Sequence, residues 1–386
     1  MTEKNLFIEL LQVSLGCKTV LDSWLMGHGC TAVEWQHLFE EAERQAIAGI
    51  LLEGVQRLKD NGAKCMEGMP QEQMLQWIGE VMQLEQQNVK TTKACQQLCE
   101  QLEKEGFKAC VLKGQSNYRY YPAEMKNRRN CGDVDVWVRP KNMGCKHPVK
   151  AVIEYVQSHF DMNGLCWLHT SHMDKSGVPV EVHLRASFMS DPCKKRRFQK
   201  YFANVDACRE FVELDGAKIP CMKVDEDVIY QMNHIYRHLI DEGVGLRQVV
   251  DYFWLLKAWN EQNERSREDT MKIVSHLGMK KFAGALMYVL QELLRMPSVL
   301  LLCPASVEDG KFLMNEILMS GNFGHNDPRM GAISSNGGYF RSRASQALRR
   351  FKRNMRFITS YPGEVIWEPI VRVEHFVWKK LRLWRF

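Results

Sequence analysis

The stretch Arg129-Asn130-Cys131-Gly132-Asp133-Val134-Asp135-Val136-Trp137-Val138 decides how this chain is read. Its second half alternates up to Arg139-Pro140, the mark of a β-strand with one face toward a core. Side chains two apart on a strand share a face, so Asp133 and Asp135 stand together, about 6–7 Å apart along the chain. Val134, Val136 and Val138 then point into the core, and the acids are expected to face outward beside Gly132. Two carboxylates so placed can hold a divalent ion. The pair alone is weakly specific, because Asp-x-Asp arises by chance and Asp225-Glu226-Asp227 is a second instance here.

Upstream, FKACVL (107–112) is a short apolar run that closes on Lys113-Gly114-Gln115. A strand passing into a helix there would offer backbone amides and a lysine to phosphate. Downstream, LCWLHTSHM and VPVEVHL flank Asp174-Lys175-Ser176-Gly177 and read as a hairpin, with a helix over KAVIEYVQSHF before it. Alternation puts Glu181 and His183 on one face of the second arm. If that arm neighbours the Asp133 strand, Glu181 completes an oxygen-rich, Mg2+-like site of the two-metal kind.

A second hairpin, FVEL and KIPCM around Asp215-Gly216, leads to Asp225, a candidate cap for a helix through DVIYQMNHIYRHLI. Further helices are expected from Leu246 to Trp259 and over 268–296, and residues 6 to about 105 also carry helical periodicity. The expected fold is therefore α+β or α/β, with a small mixed sheet as core. Residues 1–105 form an N-terminal helical region, 106–225 the α/β core and 226–320 a second helical region. Residues 321–386 are a Gly/Asn-rich loop and a basic, aromatic tail.

The chain has 386 residues, 45% hydrophobic and 25% charged, enough apolar material to bury a full core. Wholesale disorder and a single small disulfide-stapled module are excluded. No apolar run approaches the roughly 18–20 residues that span a bilayer, and MTEKNLFIELLQV has neither a basic leader nor a cleavage site; a cytoplasmic, non-spanning protein is expected. The 13 cysteines include no CxxC pair and read as reduced thiols, with Cys95 and Cys99 on one helix face.

The net charge of +6 resides in the tail, where residues 341–386 hold 12 basic side chains against Glu364, Glu368 and Glu374. That tail suits a phosphate-bearing partner such as RNA, an anionic membrane surface, or a helix held on the body by its tryptophans.

Among the histidines, His169, His172 and His183 lie on the two hairpin arms, and His234 and His238 are one helical turn apart. A zinc site is not expected, because no cysteine pattern supports it and His-Ile-Tyr-Arg-His lacks the glutamate of a metalloprotease helix. His183, two residues past Glu181, is the candidate metal neighbour or base. Arg129, four residues before Asp133, is a candidate phosphate clamp. Arg247 and Asp251, four apart, are expected to form a structural ion pair.

Together these residues resemble a known family. Leu112-Lys113-Gly114, Tyr121-Pro122, the Arg129–Val138 stretch and Val180-Glu181-Val182-His183 are similar to the uncharacterised bacterial nucleotidyltransferases of the polymerase-beta-like superfamily. His234, His238 and Leu246-Arg247-Gln248-Val249-Val250-Asp251 are similar to that family's helical segment, and the resemblance extends over roughly residues 40 to 300.

It implies a metal triad of Asp133, Asp135 and Glu181, with Lys113, Gly114, Arg129, Gly132 and His183 around the nucleotide. The implied activity is Mg2+- or Mn2+-dependent transfer of a nucleoside monophosphate from an NTP such as ATP to a hydroxyl acceptor, with release of pyrophosphate. The acceptor is left open among a small molecule, a sugar, a protein side chain and an RNA end. Lys113-Gly114-Gln115 departs from the superfamily's usual Gly-Ser or Gly-Gly loop. The competing readings are a glycosyltransferase that uses Asp133 and Asp135 to bind a sugar nucleotide, and a non-catalytic, antitoxin-like nucleotide-binding module.

Overall fold

The computed structural model describes residues 3–142, 144–324, 327–330 and 339–385. Four helices open the chain: α1 (Glu3–Ser14), α2 (Ala32–Arg44), α3 (Ala48–Asp60) and the long α4 (Gln71–Lys104). The sheet region follows with β1 (Phe107–Val111), β2 (Val134–Pro140), α5 (Pro148–His159), β3 (Met162–Leu165), β4 (His169–Met173) and β5 (Pro179–His183). It continues through α6 (Pro192–Tyr201), the short α7 (Val205–Cys208), β6 (Arg209–Leu214) and β7 (Ala217–Met222). Next come α8 (Val224–Asp241), α9 (Leu246–Gln262), α10 (Arg267–His276), α11 (Lys280–Leu294) and α12 (Val307–Ser320), and the tail forms α13 (Tyr339–Phe357) and α14 (Pro362–Lys380). Among the described residues no helix is long and apolar enough to cross a membrane.

The seven strands make one mixed sheet in the order β3-β4-β5-β2-β1-β7-β6. β2 runs parallel to β5 and antiparallel to β1, while β1 runs parallel to β7. On one face Val134, Val136, Val138, Val180 and Val182 pack against α4 and α5 through residues such as Leu98 and Ile153. On the other, Cys110, Leu112 and Trp137 join the core built by α8, α9 and the N-terminal helices. This two-faced burial fixes the register of β2. A slip by one residue would drive Asp135 into the valine layer and forfeit about 1.5–3 kcal/mol for each valine turned out.

Two local expectations are corrected. Asp225 does not cap α8, which begins at Val224 after Lys223; its carboxylate instead accepts from Trp259 Nε1 at 2.7 Å and Glu264 N at 3.1 Å. The first hairpin arm is shorter than read and gains β3 as a partner outside it. Pro362 opens α14 after α13 ends at Phe357, and proline's missing N–H costs nothing at that first position. Residues 325–326 and 331–338 of the Gly/Asn-rich loop lie outside the described residues.

Candidate active site

The parallel pairing of β2 and β5 sets Asp135 opposite Glu181 and Trp137 opposite His183. Neighbouring strands lie about 4.8 Å apart, so the two carboxylates share one face side by side. Asp133, two residues before Asp135, joins them, and one carboxylate oxygen from each of the three falls within 4.8 Å of the others. β4 runs antiparallel to β5 with His169 opposite His183, which brings a second imidazole to this face. His172 stacks on Phe160 instead, with ring centroids 4.2 Å apart, and takes no part.

The acids do not all face solvent. Asp135 is 1% exposed, whereas the side chains of Asp133 and Glu181 are 36% and 28% exposed. Burying a carboxylate requires compensation, and three neighbouring cations or hydrogen-bond donors supply it. Lys113 Nζ lies 2.5 Å from Asp135 Oδ2 and 3.6 Å from Asp133 Oδ1. His183 Nε2 bonds Asp135 Oδ1 at 2.9 Å, and His169 Nδ1 lies 2.6 Å from Glu181 Oε2.

Burial pushes the Asp135 acid up, but the Lys113 charge and His183 outweigh it and hold the carboxyl below its ordinary range. Asp133 goes the other way, raised by burial and by the Asp135 charge. Glu181 is lowered because its two imidazoles outweigh its burial. Lys113 is buried too, yet the three acids hold its ammonium above the ordinary lysine range.

Gly114 makes the Lys113 position possible. Its φ of +66° is a left-handed conformation, and a Cβ there would meet Cys131 Sγ at 3.1 Å and Asp133 O at 3.4 Å. The chain then enters a 3-10 turn, Gly114–Tyr120. At Gly132 a Cβ would meet nothing within 4 Å, so the space beside Asp133 is open.

Arg129 lines the same cleft, with its guanidinium held by a neighbouring acid. Its guanidinium is 4% exposed overall and grips Asp251 with two bonds of 2.6 Å, and Tyr121 Oη donates to the same carboxylate at 2.7 Å. Asp251 therefore pairs with Arg129 and not with Arg247. Arg247 lines the cleft with Lys113, Gly114, Asp133 and His234, donates to Asn130 O at 3.2 Å, and leaves its Nε buried without a hydrogen-bond partner. Burial and the nearby Arg129 charge lower its pKa.

Sequence reasoning passed over Arg247 because its i, i+4 spacing to Asp251 suggested a local pair. It weighed His169 only as a zinc ligand. The signal for His169 was the hairpin: Met173 pairs with Pro179, a loop one residue longer than the Asp174–Gly177 turn suggests, and that extra residue brings His169 to the same face as His183.

The sheet is thus mixed and backed by helices on both faces, and it gathers Asp133, Asp135 and Glu181 on one face. The model of a family described as "uncharacterised nucleotidyltransferase" matches residues 31–295, and the chain belongs to that family. Among solved structures, an antigenic nucleotidyltransferase-like protein from Paracoccidioides brasiliensis is similar at 12% identity and a TM-score of 0.31. That similarity covers 53% of this chain and 91% of the other. No curated protein matches.

Proposed function

We propose that the protein transfers a nucleoside monophosphate from an NTP to a hydroxyl acceptor and releases pyrophosphate. The observation that carries this reading is the convergence of Asp133, Asp135 and Glu181 on one sheet face within 4.8 Å. The donor set fits a hard divalent ion such as Mg2+ or Mn2+. All three groups are carboxylates, and Asp135 Oδ2, fully buried, accepts no aligned hydrogen bond. Bound there, such an ion would supply the positive charge that acidifies the acceptor hydroxyl and offsets the charge of the departing pyrophosphate.

The rest of the chemistry falls to the chain's own groups. The acceptor oxygen forms the new bond to the α-phosphorus, and the bond from that phosphorus to the bridging oxygen breaks. The bridging oxygen keeps the electron pair and leaves with pyrophosphate. The acceptor's proton passes to a carboxylate of the site. Lys113 neutralises the acids before substrate arrives and lies where its ammonium can turn to phosphate. Arg247, cationic, lining the same cleft as Arg129 and without a carboxylate bond of its own, is the guanidinium best placed to bind phosphate.

The test is transfer of label from α-phosphate-labelled NTPs to any component of a cell extract, followed by separation of products. Mg2+-dependent transfer that falls at least about a hundredfold in Asp135→Asn is expected. Equal transfer by that variant would dismiss the reading, and consumption of a nucleotide sugar by a Glu181→Gln enzyme would favour a glycosyltransferase.

A further inference from the structure

The site face carries a second set of converging ligand atoms, which shares only Glu181 with the three carboxylates. His169, Glu181 and His183 each place one ligand atom within 4.8 Å of the other two. Glu181 Oε2 lies 2.6 Å from His169 Nδ1 and 3.4 Å from His183 Nε2. The first contact is not a hydrogen bond, for His169 Nδ1 is buried without an aligned partner despite that distance. His183 Nε2 also bonds Asp135 Oδ1 at 2.9 Å, a contact that an ion held by the imidazoles would replace. Ligand atoms sharing one ion at bond lengths of about 2.0–2.2 Å stand roughly 3–3.5 Å apart, close to the spacing here.

We propose that His169, Glu181 and His183 form a second divalent-cation site, open on its remaining positions, that takes a nitrogen-preferring transition ion such as Zn2+, Fe2+ or Co2+. Two imidazoles and one carboxylate are the donor set of catalytic zinc and of non-haem iron, and a poor one for Mg2+. The three ligands come from adjacent strands, β4 and β5, whose pairing fixes them before any ion binds. Glu181 belongs to both groups. The inference rests on these atoms alone and survives if the chain transfers no nucleotide.

Co2+ is the probe, because imidazole ligation gives it visible ligand-field absorption. Wild type titrated with Co2+ should develop that band, Zn2+ should displace it, and a large excess of Mg2+ should not. His169→Ala, at a half-buried position, should lose the band, while Asp133→Asn should keep it. A band unchanged in His169→Ala, or a folded wild type that binds no Co2+, would overturn the site. Loss of the band in Asp133→Asn would overturn it as well, by making the ion that of the carboxylates.

A different observation carries a second inference, about the tail. On α14, Val365, Val371 and Trp378 pack onto the body, while Ile366, Ile370, Val373 and Val377 form an exposed stripe on the opposite side, Val373 at 63% exposure. Every acid of the tail is turned inward or paired: Glu364 and Glu368 are buried, and Glu374 binds Lys195 at 2.8 Å. Lys379, Lys380 and Arg382 are exposed at the helix end. An apolar stripe with a cationic rim, the tail's acids buried or paired, complements an anionic lipid surface, where the stripe enters the acyl boundary and the lysines meet headgroups. We infer that α14 docks the protein on anionic membranes.

Deleting the tail would remove core residues Val371, Trp378 and Trp384, so the test uses Ile370→Ser/Val373→Ser at the surface. Wild type should co-sediment with phosphatidylcholine vesicles containing phosphatidylglycerol, less so at high salt, and the variant should stay in solution with its thermal midpoint unchanged. Equal sedimentation of the variant, no sedimentation of wild type, or binding to RNA alone would overturn the inference.

Discussion

Asp135 on β2 and Glu181 on β5 stand directly opposite each other in a parallel strand pair, although a helix and two strands separate them in sequence. Parallel pairing is the reason they meet. It aligns the strands level for level, and the valines on either side of each acid lock that register from behind.

Removing the charge of Asp133 should stabilise the metal-free protein while disabling it. Burial and Asp135 both disfavour its ionised form, so Asp133→Asn relieves repulsion. In chelator the thermal midpoint should rise by roughly 1–2 °C, and label transfer should fall at least about a hundredfold. Calorimetry and the transfer assay on one preparation check both halves.

Lys113 should behave as a stand-in cation. Lys113→Met leaves Asp135 buried beside two other acids, a loss of about 3–5 kcal/mol for a broken buried pair. Urea unfolding should show that loss in chelator and a partial recovery in Mg2+. A loss of the same size in both conditions would mean that no ion reaches these carboxylates.

Arg129 should matter for stability and Arg247 for nucleotide. Asp251→Ala strands a buried guanidinium and should cost about 3–5 kcal/mol, with much of it recovered in Arg129→Met/Asp251→Leu. Arg247→Met should leave the unfolding midpoint nearly unchanged and weaken NTP binding about tenfold or more. Titration calorimetry on the two sets of variants separates the roles.

His375, which joins the tail to the body, gives a pH dependence. It stacks on Trp167 with ring centroids 4.8 Å apart, and burial together with the Lys195 charge lowers its pKa to about 4. Below the ordinary histidine value near 6.5 the unfolded chain takes up a proton that the folded chain refuses. Stability from this group is therefore complete above about pH 6.5 and drains away as pH falls toward 4. His375→Phe keeps the stack and should remove that part of the slope, which denaturation midpoints across this range will show.

What the sequence made legible was whatever a period or a short turn encodes. The alternation of Val134 to Val138 gave the strand, the face of its acids and the valine layer behind them, and the 180–183 run gave Glu181. Long-range pairing lay beyond it, since nothing local in Arg129 tells that Asp251 on α9 will take its guanidinium. The burial of Asp135 was hidden too, because it depends on α8 and α9 covering the sheet face that the pattern left polar. One residue of loop length, between Asp174 and Val178, decided whether His169 faced the site.

The most direct test of the central claim is thermal stabilisation by each NTP with and without Mg2+, in wild type and in Asp133→Asn/Asp135→Asn. A ligand that binds only the folded state raises its midpoint. The account predicts a Mg2+-dependent rise with at least one NTP in wild type and none in the double variant. A rise of equal size in both proteins, or none with any NTP in wild type, would contradict it.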